Sequence, residues 1–318
     1  MVMVSTALAS VPTPVDKAPP LTFPARPPYL NKMQQPRQPN RQPKSPTKPG
    51  AMIILRQTGK QWNFELPRIT EEVDDRLEEG IEWLDSDLKR SASIFRHMIQ
   101  DYPEHIDAYH HLALAQLKMG KKAEAFRIWE RAVIMTLKFF PDHFSMAHDQ
   151  LAWGFMENQP FLRLYHSYGW MLMNRGEMEE ALQVFENMLN LNPHDNQGAR
   201  AFLVSCYFAL NQPEGVLSLC KEYPDDALEA LVYGRGLAQF QLGRFKQAAR
   251  AMDLAVKYFP LVAAEIVKKK HRKAKVDDQY VALGSQEQAV LYWQQQGRYW
   301  AETPGAIEFL KNRLFFQK

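Results

Sequence analysis

Two groups of histidines are the first place to look for chemistry. His105, His110 and His111 stand close together, and His143 and His148 lie beside Asp142 and Asp149. A zinc site built from such residues needs a fixed spacing, such as HExxH on one helix or paired CxxC. Neither occurs, and no two histidines stand four residues apart. These histidines are therefore read as solvated or core-edge side chains. Glu71 to Asp87 carries nine carboxylates against the single Arg76, which reads as a solvated helix face and not as an acid/base pair. Cys206 and Cys220 are too few for a disulfide framework and read as small buried residues on successive helices. Gly234-Arg-Gly236 lacks the strand and third glycine of a dinucleotide fingerprint, and there is no GxSxG and no P-loop. The sequence predicts no catalytic residue, no metal and no cofactor.

A cationic run is the remaining chemical feature. Lys268, Lys269, Lys270, Arg272, Lys273 and Lys275 place six Lys/Arg in eight residues. Three readings are open: a soluble linker, a nuclear-import signal, and a grip on phosphates. Base readout would need aromatic residues among the cations, and the run has none.

The elements that must position everything else are helices. Tyr165, Tyr168 and Leu172 recur at i, i+3, i+7, and Ala181, Phe185 and Met188 at i, i+4, i+7. A turn at Asn174-Arg-Gly176 separates them, and Asn192-Pro193 stops the second. The same pattern returns with Tyr109, Leu112, Ala113, Gly120, Ala125, Trp129 and Ala132, and again with Gly236, Gly243, Ala248, Met252, Ala255 and Pro260. A degenerate copy lies between them from Asn196 to Leu228, and a degraded one precedes them through Ser91, Phe95 and Met98. Between the first two clear copies the period breaks over residues 140–161.

This pattern of aromatic, large apolar, Gly, then Ala, aromatic and Pro over about 34 residues resembles the tetratricopeptide repeat (TPR) family. The resemblance covers roughly residues 88–263. It implies an all-α fold, a right-handed α-solenoid of helix hairpins in which small residues let neighbouring helices approach. The first helix of each hairpin lines a concave groove. Carried over position by position, the groove residues are Asp107, His110, Leu114 and Leu117, then Arg163, His166, Trp170, Met173 and Asn174. The later hairpins add Arg200, Tyr207, Tyr233 and Phe240. The family's clamp for acidic C-termini is not matched, because His110 and Leu114 stand where Lys and Asn are needed. The resemblance implies a non-catalytic scaffold whose groove binds a protein or peptide partner, expected to be an apolar helix or extended segment with an acidic group. The alternative is a nucleic-acid-associated or nuclear-targeted regulatory factor using the basic arm and the 268–275 run.

Composition sets the frame. Residues 1–50 hold seven Lys/Arg and one Asp, a net of +6, which leaves −3 for residues 51–318. Twelve of the 21 prolines lie before residue 50, so residues 1–50 are expected to form a disordered basic arm. Residues 51–70 are expected to be an extended segment packing on the solenoid, anchored by Trp62 and Phe64. The solenoid itself is assigned to 71–266, a basic linker to 267–284 and capping helices to 285–318. No apolar run approaches the ~18 residues of a membrane span. A cytoplasmic location is expected.

Overall fold

The computed structural model describes residues 53–65, 71–272 and 281–315. The arm before residue 51 and the cations Lys273 and Lys275 lie outside the described residues. Helix dominates, as the periodicity predicts. In chain order the helices are α1 (Glu71–Glu82), α2 (Leu88–Asp101), α3 (Ile106–Lys118), α4 (Lys122–Leu137), α5 (Gln159–Arg175) and α6 (Met178–Leu191). They continue as α7 (Ala199–Ala209), α8 (Pro213–Glu222), α9 (Glu229–Gln241), α10 (Phe245–Tyr258), α11 (Pro260–Ile266), α12 (Gln286–Ala301) and α13 (Ala306–Phe315). Consecutive helices pair as hairpins, giving the all-α repeat fold. The described residues divide into two compact units. One runs from the N-terminal side to Met171 and takes in Asn190–His194; the other holds Leu172–Leu189 and everything from Asp195.

In the first of these units the α1/α2 and α3/α4 pairs share a core of Val73, Phe95, Met98, Ala108, Leu112 and Ala115. Asp87 starts α2 by accepting from the amides of Lys89 (3.1 Å) and Arg90 (3.0 Å), so two of the helix's orphan donors are satisfied. Ile81 of α1 is exposed. Gly80 faces inward instead. A β-carbon there would lie 2.6 Å from the Phe95 ring, and that ring is fully buried and stacked on His111 at 5.5 Å. Gly80→Val should therefore lower the stability of this unit by about 1–3 kcal/mol through overpacking, read as a shifted denaturation midpoint.

Residues before α1 form an antiparallel hairpin, β1 (Ile54–Thr58) with β2 (Gln61–Glu65), in the register Leu55 to Phe64 and Gln57 to Trp62. Alternation turns Trp62 and Phe64 to one face, and both are buried. That face packs on the stretch that interrupts the repeats. Trp62 meets Phe144 at 5.4 Å, and Phe64 meets Phe140 and Phe161 at 5.8 and 5.7 Å. The Trp62 amide donates to the Gln150 carbonyl (2.7 Å), and the Gln150 amide donates in return to the Lys60 carbonyl (2.9 Å). Buried Asn158 ties the junction. It accepts from the Phe64 amide at 3.0 Å and donates to the carbonyls of Trp62 and Ala152 at 3.1 Å each. Hairpin and insertion thus cover each other's apolar side, which neither could bury alone.

In the second unit α7/α8 and α9/α10 repeat the pairing. Gly236 lets α9 approach α10 closely, since a β-carbon there would sit 2.7 Å from Met252. The buried Tyr233 hydroxyl donates to the Phe259 carbonyl (2.7 Å). Helix α12 then returns across the first helices of both pairs. Its Tyr299 hydroxyl donates to the Ser205 carbonyl (2.7 Å) and Gln296 Nε2 to Ser205 Oγ (2.7 Å). Tyr292 packs on Tyr233 at 5.4 Å.

Candidate functional site

Repeat position picks out the groove residues, and their side chains divide into three sets. The first set is spent on structure. Arg163 on α5 donates to both carboxylate oxygens of Asp107 on α3, at 3.0 and 2.8 Å, which is the bidentate geometry that satisfies both charges. Arg200 is bound by Asp195 (2.8 Å) and by Asp226, and its guanidinium lies 4.6 Å over the Tyr223 ring. Asp195 in turn caps α7 by accepting from the Ala199 amide at 2.6 Å. The two arginines expected to meet an acidic group on a guest already hold carboxylates of their own chain.

The second set is covered. Tyr233 is fully buried, with Tyr292 and Trp300 of α12 against it. Phe240 packs on Phe309 of α13 at 5.1 Å. Tyr207 is half-buried against α8. A β-carbon on Gly215 of α8 would lie 2.4 Å from its ring, and its hydroxyl donates to Glu186 (2.9 Å). Burial raises the Glu186 carboxyl, partly offset by that hydrogen bond, and burial beside Glu186 holds the Tyr207 phenol well above its ordinary value. The wall at Tyr233 and Phe240 is thus taken by the chain's own C-terminal helices. The physical reason is visible in α12, whose Tyr292, Gln296, Tyr299 and Trp300 form one stripe at helical spacing.

The third set keeps surface. Leu114 and Leu117 of α3 and Trp170 of α5 are half-buried, as are Met173 and Asn174 near the end of α5. Helices α3 and α5 also carry His110, His111 and His166. His110 is buried, with the Trp129 indole donating to its Nδ1 at 3.4 Å. Burial, helped by the charges of His111, Arg163 and His166, holds His110 well below the ordinary histidine value. Burial brings His166 down to about 4, and it lowers His105 and His111 as well. These rings are neutral at pH 7, so the wall they support is apolar. Sequence spacing gives no warning that His110 turns toward Trp129.

Other candidate chemistry resolves simply. Cys206 and Cys220 are both free and buried. Burial pushes the Cys206 thiol up to about 12 and raises Cys220, which removes thiolate character. Among the described residues no group of three or more His, Cys, Asp or Glu could hold a metal ion. No helix among them is long and apolar enough to cross a membrane. Of the cationic run, Lys268 binds the buried Glu265, and His271 meets the same carboxylate at 3.2 Å while stacking 3.7 Å from Trp293. Lys269, Lys270 and Arg272 are exposed. Arg235 and Gln239 line a shallow cleft with Leu217 and Lys221, and Arg235 donates to the Cys220 carbonyl near the end of α8 (2.9 Å).

A family model described as Transcriptional repressor TCF25 matches residues 89–317. No curated protein matches the sequence. Several solved structures are similar. A tetratricopeptide repeat protein from Parabacteroides merdae has 13% identity over 77% of this chain and 86% of its own, with a TM-score of 0.45. YrrB, described as a TPR protein with an unusual peptide-binding site, has 14% identity over 57% and 84%, with a TM-score of 0.42. PilF of Pseudomonas aeruginosa has 16% identity over 75% and 96%, also with a TM-score of 0.42.

Proposed function

From the premise that the chain belongs to the Tcf25 family, we propose that it is a non-catalytic interaction scaffold, binding a protein partner through the first helices of its earlier hairpins. The observation that carries this reading is the half-buried apolar pair Leu114 and Leu117 on α3, set beside an Arg163–Asp107 pair that is already neutralised. The guest that fits is an apolar helix or extended segment without an acidic anchor. Interfaces of this kind rest on a few buried apolar contacts and not on rim charges. The family's description as a transcriptional repressor favours a regulatory setting, and with it the nuclear alternative over the cytoplasmic expectation.

A photo-crosslinking side chain at position 117 of the full chain tests the reading in cell extract. One recurrent crosslinked protein is expected, and it should be lost on Leu114→Glu while circular dichroism stays unchanged. Crosslinks that survive Leu114→Glu would place partner binding elsewhere.

A further inference from the structure

The outer face of α10 carries a pattern that scaffolding does not use. Lys246, Arg250 and Lys257 are exposed and recur at i, i+4 and i+11, so they share one narrow strip of the helix, on which a four-residue step is about 6 Å. Leu254 and Tyr258 border that strip at 43% and 60% exposure, large values for apolar and aromatic side chains. A shallow cleft runs between Arg250, Asp253, Leu254 and Lys257. The acids nearby do not cancel the cations. Asp253 accepts two bonds from Arg313, at 2.7 and 2.5 Å. Glu265 is buried and held by Lys268, His271 and Gln286. Phe245 to Arg272 therefore contains seven Lys/Arg and only these two carboxylates. Of those cations Lys268 alone forms an ion pair among the described residues.

We propose that the outer strip of α10 binds the phosphate backbone of single-stranded nucleic acid, with Lys246, Arg250 and Lys257 on phosphates and the exposed Tyr258 ring stacking on a base. Cations tracking a backbone beside an accessible aromatic ring are what sequence-tolerant single-strand binding requires. A duplex hides its base faces, so Tyr258 would add nothing there. The cationic run Lys268–Arg272, without aromatics of its own, follows in the same unit and adds charge. This surface is separate from the α3 wall, and its failure would leave the partner reading untouched.

The test is fluorescence anisotropy of the full chain with a short fluorescein-labelled oligothymidylate, titrated with salt. Arg250→Glu with Lys257→Glu is expected to weaken binding at least tenfold and to flatten the salt dependence by about 0.7 for each phosphate no longer neutralised. Tyr258→Ala should weaken binding roughly fivefold or more, as expected when one stacked base is released, with the salt slope unchanged. All three positions are exposed, and circular dichroism checks that each variant folds. Binding by the double reversal equal to wild type would overturn the proposal. Equal affinity for a duplex of the same length, or for anionic phospholipid vesicles, with Tyr258→Ala silent throughout, would overturn it as well.

Discussion

Between pH 7 and pH 4 the protein should lose stability steeply, and the histidines behind the α3 and α5 wall should account for much of the loss. A histidine whose folded value lies below its unfolded 6.5 binds a proton in the unfolded chain before it binds one in the fold. Over that interval the unfolded state holds more protons, so stability falls as pH falls. For His166 the window runs from 6.5 down to about 4. At about 1.4 kcal/mol per pH unit this amounts to about 3 kcal/mol, trimmed toward about 2 because part of the residue remains exposed. His110 adds to it with a window that opens at the same pH and extends well below the ordinary value, and His105 and His111 add smaller contributions. Glu186 and Glu229, raised by burial, act in the opposite direction, since a carboxyl that is easier to protonate in the fold favours the fold at low pH. Glu265, whose burial is outweighed by its bonds to Lys268 and His271, is lowered and adds to the loss, so four lowered histidines and one lowered carboxyl against two raised carboxyls leave a net loss on acidification. Urea denaturation at a series of pH values should show it, and His166→Gln should flatten the slope. A midpoint that is level from pH 7 to pH 4, or a slope that His166→Gln leaves intact, would show that these rings titrate normally.

The repeat architecture is legible because it is written in spacing. Ala125 and Trp129 on α4, and Ala248 and Met252 on α10, are buried where helical periodicity puts them. The Trp62 and Phe64 anchors are buried too, because alternation in a short strand is as readable as the period of a helix. The site is less legible, for a physical reason. Repeat position says which way an α-carbon faces and nothing about which distant residue arrives opposite it. Arg163 finds Asp107 across 56 positions, and Tyr233 finds Tyr292 on α12, far along the chain. Arg200 is bound by Asp226 on a loop whose course no periodicity fixes. The expectation of an acidic guest treats two arginines as free, and both are paired with carboxylates of their own chain. The C-terminal segment reads in sequence as a cap for the last hairpin. Its stripe of aromatics and glutamine is visible there, but its reach onto α7 depends on how the chain returns after α11.

That return makes Trp300 the most consequential single side chain of the second unit. Its indole is fully buried, donates to the Tyr292 hydroxyl at 2.9 Å and lies 6.2 Å from the Tyr233 ring. Trp300→Ala removes the ring and leaves a cavity that α9 and α12 cannot both collapse into, because Tyr233 is pinned by its bond to Phe259. The cost should be about 3–5 kcal/mol, large against the roughly 5–15 kcal/mol that holds a typical domain. Trp293, on the same helix, is half-buried and stacks on His271. Trp293→Ala should cost distinctly less, which separates core packing from the loss of any tryptophan. Hydrogen exchange localises the effect: amides of α7 and α9 should lose protection in Trp300→Ala, while those of α2 and α3, in the other unit, keep theirs. If α7 and α9 remain protected, α12 is a dispensable cover and the inner wall beneath it stands ready for a guest. If they open with it, α12 is as much a part of the fold as any repeat, and partner binding is confined to the earlier hairpins.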